Sequence, residues 1–254
     1  MKTVYYTSLS DDFVETKNQS KSVPEGYQFI KKNPFAKLAG IILFLFFKLI
    51  AKLYAIFVLH LNIKGKNKLK KYVKSKQGYY IYANHTLTYG DVYNPALYNP
   101  VHPYYICDSS NLGIPILGPI LPFVGALPIP ESIRDKKRLF DAISTRTKQG
   151  KAIVIYPEAH LWPYYTGIRP FETTSFNFPV RDNLPIFTAT TTFQPRKHHK
   201  KPRVTIYIDG PFYAPEDLSK HEKIQFLHDQ AISSMQKNSK KSTVKYITYE
   251  KRDN

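Results

Sequence analysis

Residues 79–91 read YYIYANHTLTYGD. The run 79–83 has the length and aromatic content of a buried strand. It ends in two polar residues, Asn84 and His85, and Asp91 opens a helical stretch near 91–98. A strand that ends in a polar histidine and feeds a helix is a building unit of α/β sheets, which place ligands and chemistry at their strand ends. Further short apolar runs lie at 104–107, 123–129, 152–156, 186–193 and 204–208, which makes six candidate strands in all. Helical stretches fall near 133–149, where Gly150 reads as the C′ glycine, and near 219–237. This alternation predicts an α/β class fold: a single domain with a mixed six to seven stranded sheet flanked by helices. The segment GIPILGPILPF at 113–123 mixes Gly, Pro and large aliphatics and predicts a shaped apolar loop.

His85 and Asp91 carry the first chemical hint. A histidine with a near-neutral pKa accepts a proton from a hydroxyl, and a carboxylate on its other ring nitrogen fixes the tautomer. On spacing alone, a histidine near an aspartate is more often surface chemistry without function.

Upstream, Asn33-Pro34 reads as an N-cap with Pro at the first helical position. The sequence AKLAGIILFLFFKLIAKLYAIFVLHL follows at 36–61, long enough to span a bilayer but interrupted by Lys48 and Lys52. At about 100° per residue these two share a face with Lys37, the pattern of a helix lying in a membrane interface; a core helix with a lysine stripe is the competing reading. Seven lysines from Lys64 to Lys76 follow, a cluster that suits anionic headgroups or a solvated helix. The whole chain of 254 residues holds 37 Lys and Arg against 19 Asp and Glu, a formal charge of +18 that implies an anionic partner, either lipid or nucleic acid. The lone Cys107 excludes an internal disulfide and a thiolate metal site. Asp11, Asp12 and Glu15 sit in a polar N-terminus without an apolar run, so no signal peptide is read and the cytoplasmic face of the membrane is expected. The expected organisation is a polar, irregular segment 1–33, a membrane-associated helical segment 34–77 and an α/β domain 78–254.

The sequence resembles the glycerolipid acyltransferase family, the 1-acyl-glycerol-3-phosphate acyltransferases and their relatives, in four blocks taken in the family's order. YYIYANHTLTYGD is similar to the family's Asn-His-x4-Asp at a strand end. VGALPIPESIRDKKRLFDAI at 124–143 is similar to the strand and helix that carry a phosphate-binding arginine. IVIYPEAHLWPYYTGIRPF at 153–171 is similar to the Phe-Pro-Glu-Gly-Thr-Arg-Ser block and its sequel. NLPIFTATTTF at 183–193 is similar to a late Pro-bearing strand.

There are departures. His85 and Asp91 are separated by five residues rather than four, so a widened turn at Gly90 must absorb one. Pro157 and Glu158 match, but Ala159, His160, Leu161 and Trp162 replace Gly-Thr-Arg-Ser, and the second-block arginine falls at Pro130 or Glu131. Arg169 and Arg134 are the guanidinium groups that would substitute at a phosphate. His160 reads as a second catalytic histidine or a hydrogen-bonded loop residue. QPRKHHKKPR at 194–203 could bind nucleic acid, acyl-carrier protein or lipid headgroups; the preferred reading is a solvated hairpin loop that favours anions. No P-loop, Gly-x-Ser-x-Gly elbow or His-Glu-x-x-His motif is present.

The resemblance implies transfer of a fatty acyl group from acyl-CoA or acyl-carrier protein, as co-substrate, to a lysophospholipid hydroxyl, probed by His85 as base with Asp91 as its partner. Asn84, Glu158, Arg169 and Arg134 are the expected substrate contacts, and the oxyanion would meet N–H groups near 156–160 or at the helix after Asp91. No metal or bound cofactor is called for; membrane lipid is the expected partner and nucleic acid is not. Two alternatives stay open: a different, non-phosphorylated lipid or glycolipid acceptor, and a non-catalytic basic protein that binds membrane or nucleic acid.

Overall fold

The structure is a computed structural model that describes residues 2–14 and 22–252; Glu15 lies outside the described residues. The main sheet has seven strands in the order β2-β8-β7-β3-β6-β4-β5. Its members are β2 (Asn62–Lys64), β3 (Tyr79–Ala83), β4 (Pro103–Cys107), β5 (Ala126–Pro128), β6 (Ala152–Ile155), β7 (Ile186–Gln194) and β8 (Arg203–Phe212). Only β7 and β8 pair antiparallel, so the sheet is mixed, as the alternating pattern predicts. β3 lies at the centre and is buried along its whole length, because a parallel strand between two helical layers must be apolar on both faces. Tyr79 and Ile81 feed the core on one side and Tyr80 and Tyr82 the core on the other, the two-residue period of a strand.

Helices cover both faces. α1 (Pro34–Tyr54) starts as expected: the Asn33 side chain accepts from the Phe35 and Ala36 N–H groups, and Pro34 occupies the first turn. A π-helical turn, Ala55–Leu59, continues it until His60 takes a left-handed conformation. α2 (Lys66–Val73), α3 (Gly90–Tyr98), α4 (Ile133–Lys148), α5 (Asn177–Asp182) and α6 (Lys220–Ser239) follow. Gly150, just past α4, has φ +72°, as a C′ glycine should. Segment 113–123 is a chain of turns beginning and ending in single 3-10 turns, and α1 rests on it; a Cβ at Gly40 would fall 3.1 Å from the Phe123 carbonyl oxygen.

Several expectations need correction. The strand expected at 123–129 shrinks to β5 because Pro122 holds a 3-10 turn before it. The N-terminal segment is not irregular throughout: β1 (Lys2–Tyr6) pairs in parallel with β9 (Ile247–Lys251) in a separate two-stranded sheet. The start expected at residue 78 is too late, because β2 joins the sheet from within the segment 34–77. Part of that lysine cluster is structural: Lys66 donates to the Leu97 carbonyl and Lys68 pairs with Asp209.

One broad side of α1 faces outward. Leu38, Ile42, Leu45, Leu49, Leu53 and Ile56 recur at helical spacing, all roughly half-exposed. Leu43, Phe44, Phe47, Ala51 and Tyr54 turn toward the protein. The Pro34–Leu59 helix is long and apolar enough to cross a membrane.

Candidate active site

The site is built on the exit from β3. Asn84 turns back on β7, where its Oδ1 accepts from the Thr191 N–H at 2.7 Å and its Nδ2 donates to the Thr191 carbonyl at 3.1 Å. The expectation of a substrate contact is corrected: Asn84 is buried with both ends of its amide spent, and it fixes the path of the chain into His85.

His85 Nδ1 lies 2.8 Å from Asp91 Oδ2. The same oxygen accepts the Thr86 and Leu87 N–H groups, each at 2.8 Å. Asp91 is buried, and this crowd of donors needs the carboxylate form, so Nδ1 carries the proton and Nε2 keeps its lone pair. Among the described residues Nε2 has no hydrogen-bond partner, and His85 lines the main cavity.

The longer spacing is absorbed by a turn at 88–89, in which the Asp91 N–H donates to the Leu87 carbonyl at 3.0 Å. Gly90 opens α3 directly against Leu87; a Cβ there would come within 2.8 Å of Leu87 Cδ1 and 3.0 Å of Asn94 Nδ2. Close approach is what requires glycine at this position.

Tyr156, at the end of β6, completes the support. Its ring stacks on the His85 ring with centroids 4.6 Å apart, and its hydroxyl donates to the Asp91 carbonyl. A tyrosine closing an apolar run carries no signal of this role; only its place before Pro157-Glu158 points to it.

Glu158 and Arg169 were expected at the substrate, and the geometry corrects both. Glu158 Oε2 accepts the His85 N–H at 3.0 Å and Oε1 accepts the Arg169 N–H at 2.9 Å. Burial pushes the Glu158 carboxyl up, while the Arg169 charge and these two N–H groups favour its ionised form. The guanidinium approaches Glu158 at 3.4 Å, with both side chains at most 2% exposed. It also donates to the Leu9 and His160 carbonyls and lies 4.9 Å from the Trp162 ring centroid. Arg169 therefore ties the Glu158 loop to the N-terminal segment and has no fork to offer a phosphate. Arg134 is exposed at the start of α4 and does not line the cavity. The cations that do are Lys48, Lys136, Arg181 and Lys220, although Arg181 already pairs with Asp182 and Ser144. His160 sits 3.6 Å from Asp12 as a loop residue at the cavity rim.

The cavity measures about 2010 Å³. Small-molecule sites are usually about 300–1,000 Å³, so this volume suits a long substrate. His85, Asp91 and Tyr156 form one wall, α1 contributes Phe44 and Phe47, the 113–123 turns contribute Ile114, Leu117 and Ile120, and the N-terminal segment contributes Ser8 to Ser10. Burial pushes the Cys107 thiol in this wall up to about 12, so it stays protonated at neutral pH and offers no thiolate nucleophile. Among the described residues no group of three His, Cys, Asp or Glu side chains is placed to hold a metal.

The family model that matches residues 60–192 is the acyltransferase model. The chain belongs to the acyltransferase family. The match takes in β2, the His85–Asp91 pair and Glu158, and the protein is an O-acyltransferase, which removes the non-catalytic alternative. This acyltransferase is similar in fold to the crystal structure of the 1-acyl-sn-glycerophosphate (LPA) acyltransferase PlsC from Thermotoga maritima. The TM-score is 0.53 at 12% identity, covering 82% of this chain and 100% of that one. No curated protein matches the acyltransferase by sequence.

Proposed function

We propose that the protein transfers a fatty acyl group from an acyl thioester, acyl-CoA or acyl-carrier protein, to the hydroxyl of a lysophospholipid, 1-acyl-glycerol-3-phosphate, at a membrane surface in phospholipid biosynthesis. The observation that carries this reading is the His85–Asp91 contact in the wall of a large, mostly apolar cavity that α1 also lines, through the inward residues Phe44, Phe47 and Ala51. His85 Nε2 takes the acceptor's hydroxyl proton as the oxygen attacks the thioester carbonyl, and the imidazolium returns that proton to the departing thiolate. Asp91 holds the imidazole in this tautomer. The N–H groups of Ala159 and His160 are already bonded to Tyr156 and Glu158 carbonyls, so the oxyanion falls to the first turn of α3, where, apart from the Asp91 N–H that donates to Leu87, the N–H groups lack intrahelical partners.

With Arg169 committed to Glu158 and Arg181 to Asp182 and Ser144, a phosphate would be met by Lys136, a cavity-lining cation that enters none of the ion pairs among the described residues. That same commitment favours a second reading, a non-phosphorylated lipid alcohol as acceptor. Both are tested by supplying labelled acyl-CoA or acyl-carrier protein with lysophosphatidic acid or monoacylglycerol to the full chain in detergent. Turnover on lysophosphatidic acid is expected, and His85→Ala should lose at least about 100-fold with an unchanged melting temperature, the worth of a general base. A variant that kept more than about a tenth of wild-type turnover would remove His85 from the mechanism. Turnover of monoacylglycerol alone would move the assignment to the neutral acceptor.

A further inference from the structure

The basic segment QPRKHHKKPR at 194–203 takes no part in the cavity. It forms the turn between β7 and β8. Because β2 pairs with β8 with Asn62 opposite Thr205, the end of the apolar helix is carried to the base of this hairpin. The His60 and His199 rings lie 6.4 Å apart. Between helix and hairpin runs an open groove of about 360 Å³, with Phe57 and Val58 on one side and Arg196, His199, Lys200 and Lys201 on the other. Phe57 is 70% exposed.

Three features give this groove its chemistry. Its cations are uncommitted: Arg196, Lys200 and Lys201 enter none of the ion pairs among the described residues. Neither segment brings a counter-charge of its own, since no acidic residue occurs between Asp182 and Asp209 or between Glu25 and Asp91. Its apolar side continues the outward face of α1 through Leu53 and Ile56. An acidic soluble protein would satisfy the cations and leave that face wet, whereas a bilayer covers both at once.

We propose that the groove binds the headgroup of an anionic membrane phospholipid at a site separate from the catalytic cavity. The phosphodiester lies among Arg196, Lys200 and Lys201, and its acyl chains lie against Phe57 and Val58. The two sites share no lining residue, so the charges can be removed without touching the catalytic pair.

The test compares the full chain with the triple variant Arg196→Gln, Lys200→Gln, Lys201→Gln. The quantity measured is the ratio of partition coefficients between phosphatidylcholine vesicles containing phosphatidylglycerol and pure phosphatidylcholine vesicles, at physiological salt. Taking this ratio cancels the helix's own contribution. A charge near an anionic surface is worth about fivefold in binding, so removing all three should lower the ratio on the order of 100-fold. Turnover in detergent should stay unchanged, which also reports that the variant is folded. The charge-preserving variant Arg196→Lys, Lys200→Arg, Lys201→Arg should keep the wild-type ratio. An unchanged ratio in the glutamine variant overturns the proposal. So does an unchanged ratio accompanied by lost binding to acyl-carrier protein, which would make the groove a site for an acidic protein.

Discussion

Arg169 illustrates how far residue type can be trusted. A guanidinium close to the Pro157-Glu158 block has the planar fork that phosphate prefers, yet its two terminal nitrogens face Glu158, Leu9 and His160. Residue type and position along the chain were legible; the direction in which a buried side chain turns depends on Trp162 and on the N-terminal segment, which lies 160 residues away at Leu9. For His85 and Asp91 the reverse holds, because a strand end and a helix start joined by a short turn leave few ways to hold them apart. Arg169→Ala is expected to destabilise the fold by about 3–5 kcal/mol, since it strands the Glu158 carboxylate in the interior. Urea unfolding measures this, and KM values for lysophosphatidic acid and monoacylglycerol should keep their wild-type ratio. A raised KM for lysophosphatidic acid alone, at unchanged stability, would return Arg169 to the substrate.

Elements with strong patterns were readable, and those whose identity depends on a distant partner were not. The central strands and α1, α4 and α6 stand out by apolar runs, caps and the Gly150 stop. β2 is three residues that lead into the lysine run, and it becomes a strand only because β8 lies beside it. The docking of α1 likewise rests on a residue without a sequence signal. The His102 ring packs tilted against Phe44 and Tyr104, with centroids 3.9 and 4.8 Å away, and burial lowers its pKa to about 4 from an ordinary 6.5. The folded state thus disfavours imidazolium. The stability this contributes is fully present above pH 6.5 and is lost as pH falls from 6.5 toward about 4, where the unfolded chain takes up a proton that the folded chain refuses. Urea midpoints at intervals between pH 7.5 and 4 should fall through this window and fall less in His102→Phe. An equal slope in both proteins would assign the acid sensitivity to other groups.

At the scale of the molecule, the charge of +18 is unevenly placed, and a long gap between acidic residues contains α1. From residue 26 to residue 90 there is no acidic side chain, and α1 with its lysines lies within that stretch. The composition announced an anionic surface, but only the fold places the hairpin at 194–203 next to the helix end and the cavity beside the helix body. A lipid acceptor would then pass from the bilayer along α1 to His85 without crossing water. The outward residues are the ones to change, because Leu38, Leu45 and Leu49 are each more than half exposed and support little of the core. Replacing all three with Ser should leave the melting temperature near wild type. Each leucine that enters a bilayer is worth about 1.5–3 kcal/mol when fully transferred, so even partial immersion should weaken vesicle binding by at least about 100-fold. Turnover of a short-chain, water-soluble acceptor should persist while turnover of vesicle-borne acceptor collapses. If the variant pelleted with phosphatidylcholine vesicles as well as wild type does, α1 is not the membrane contact and the acceptor must reach His85 by another route.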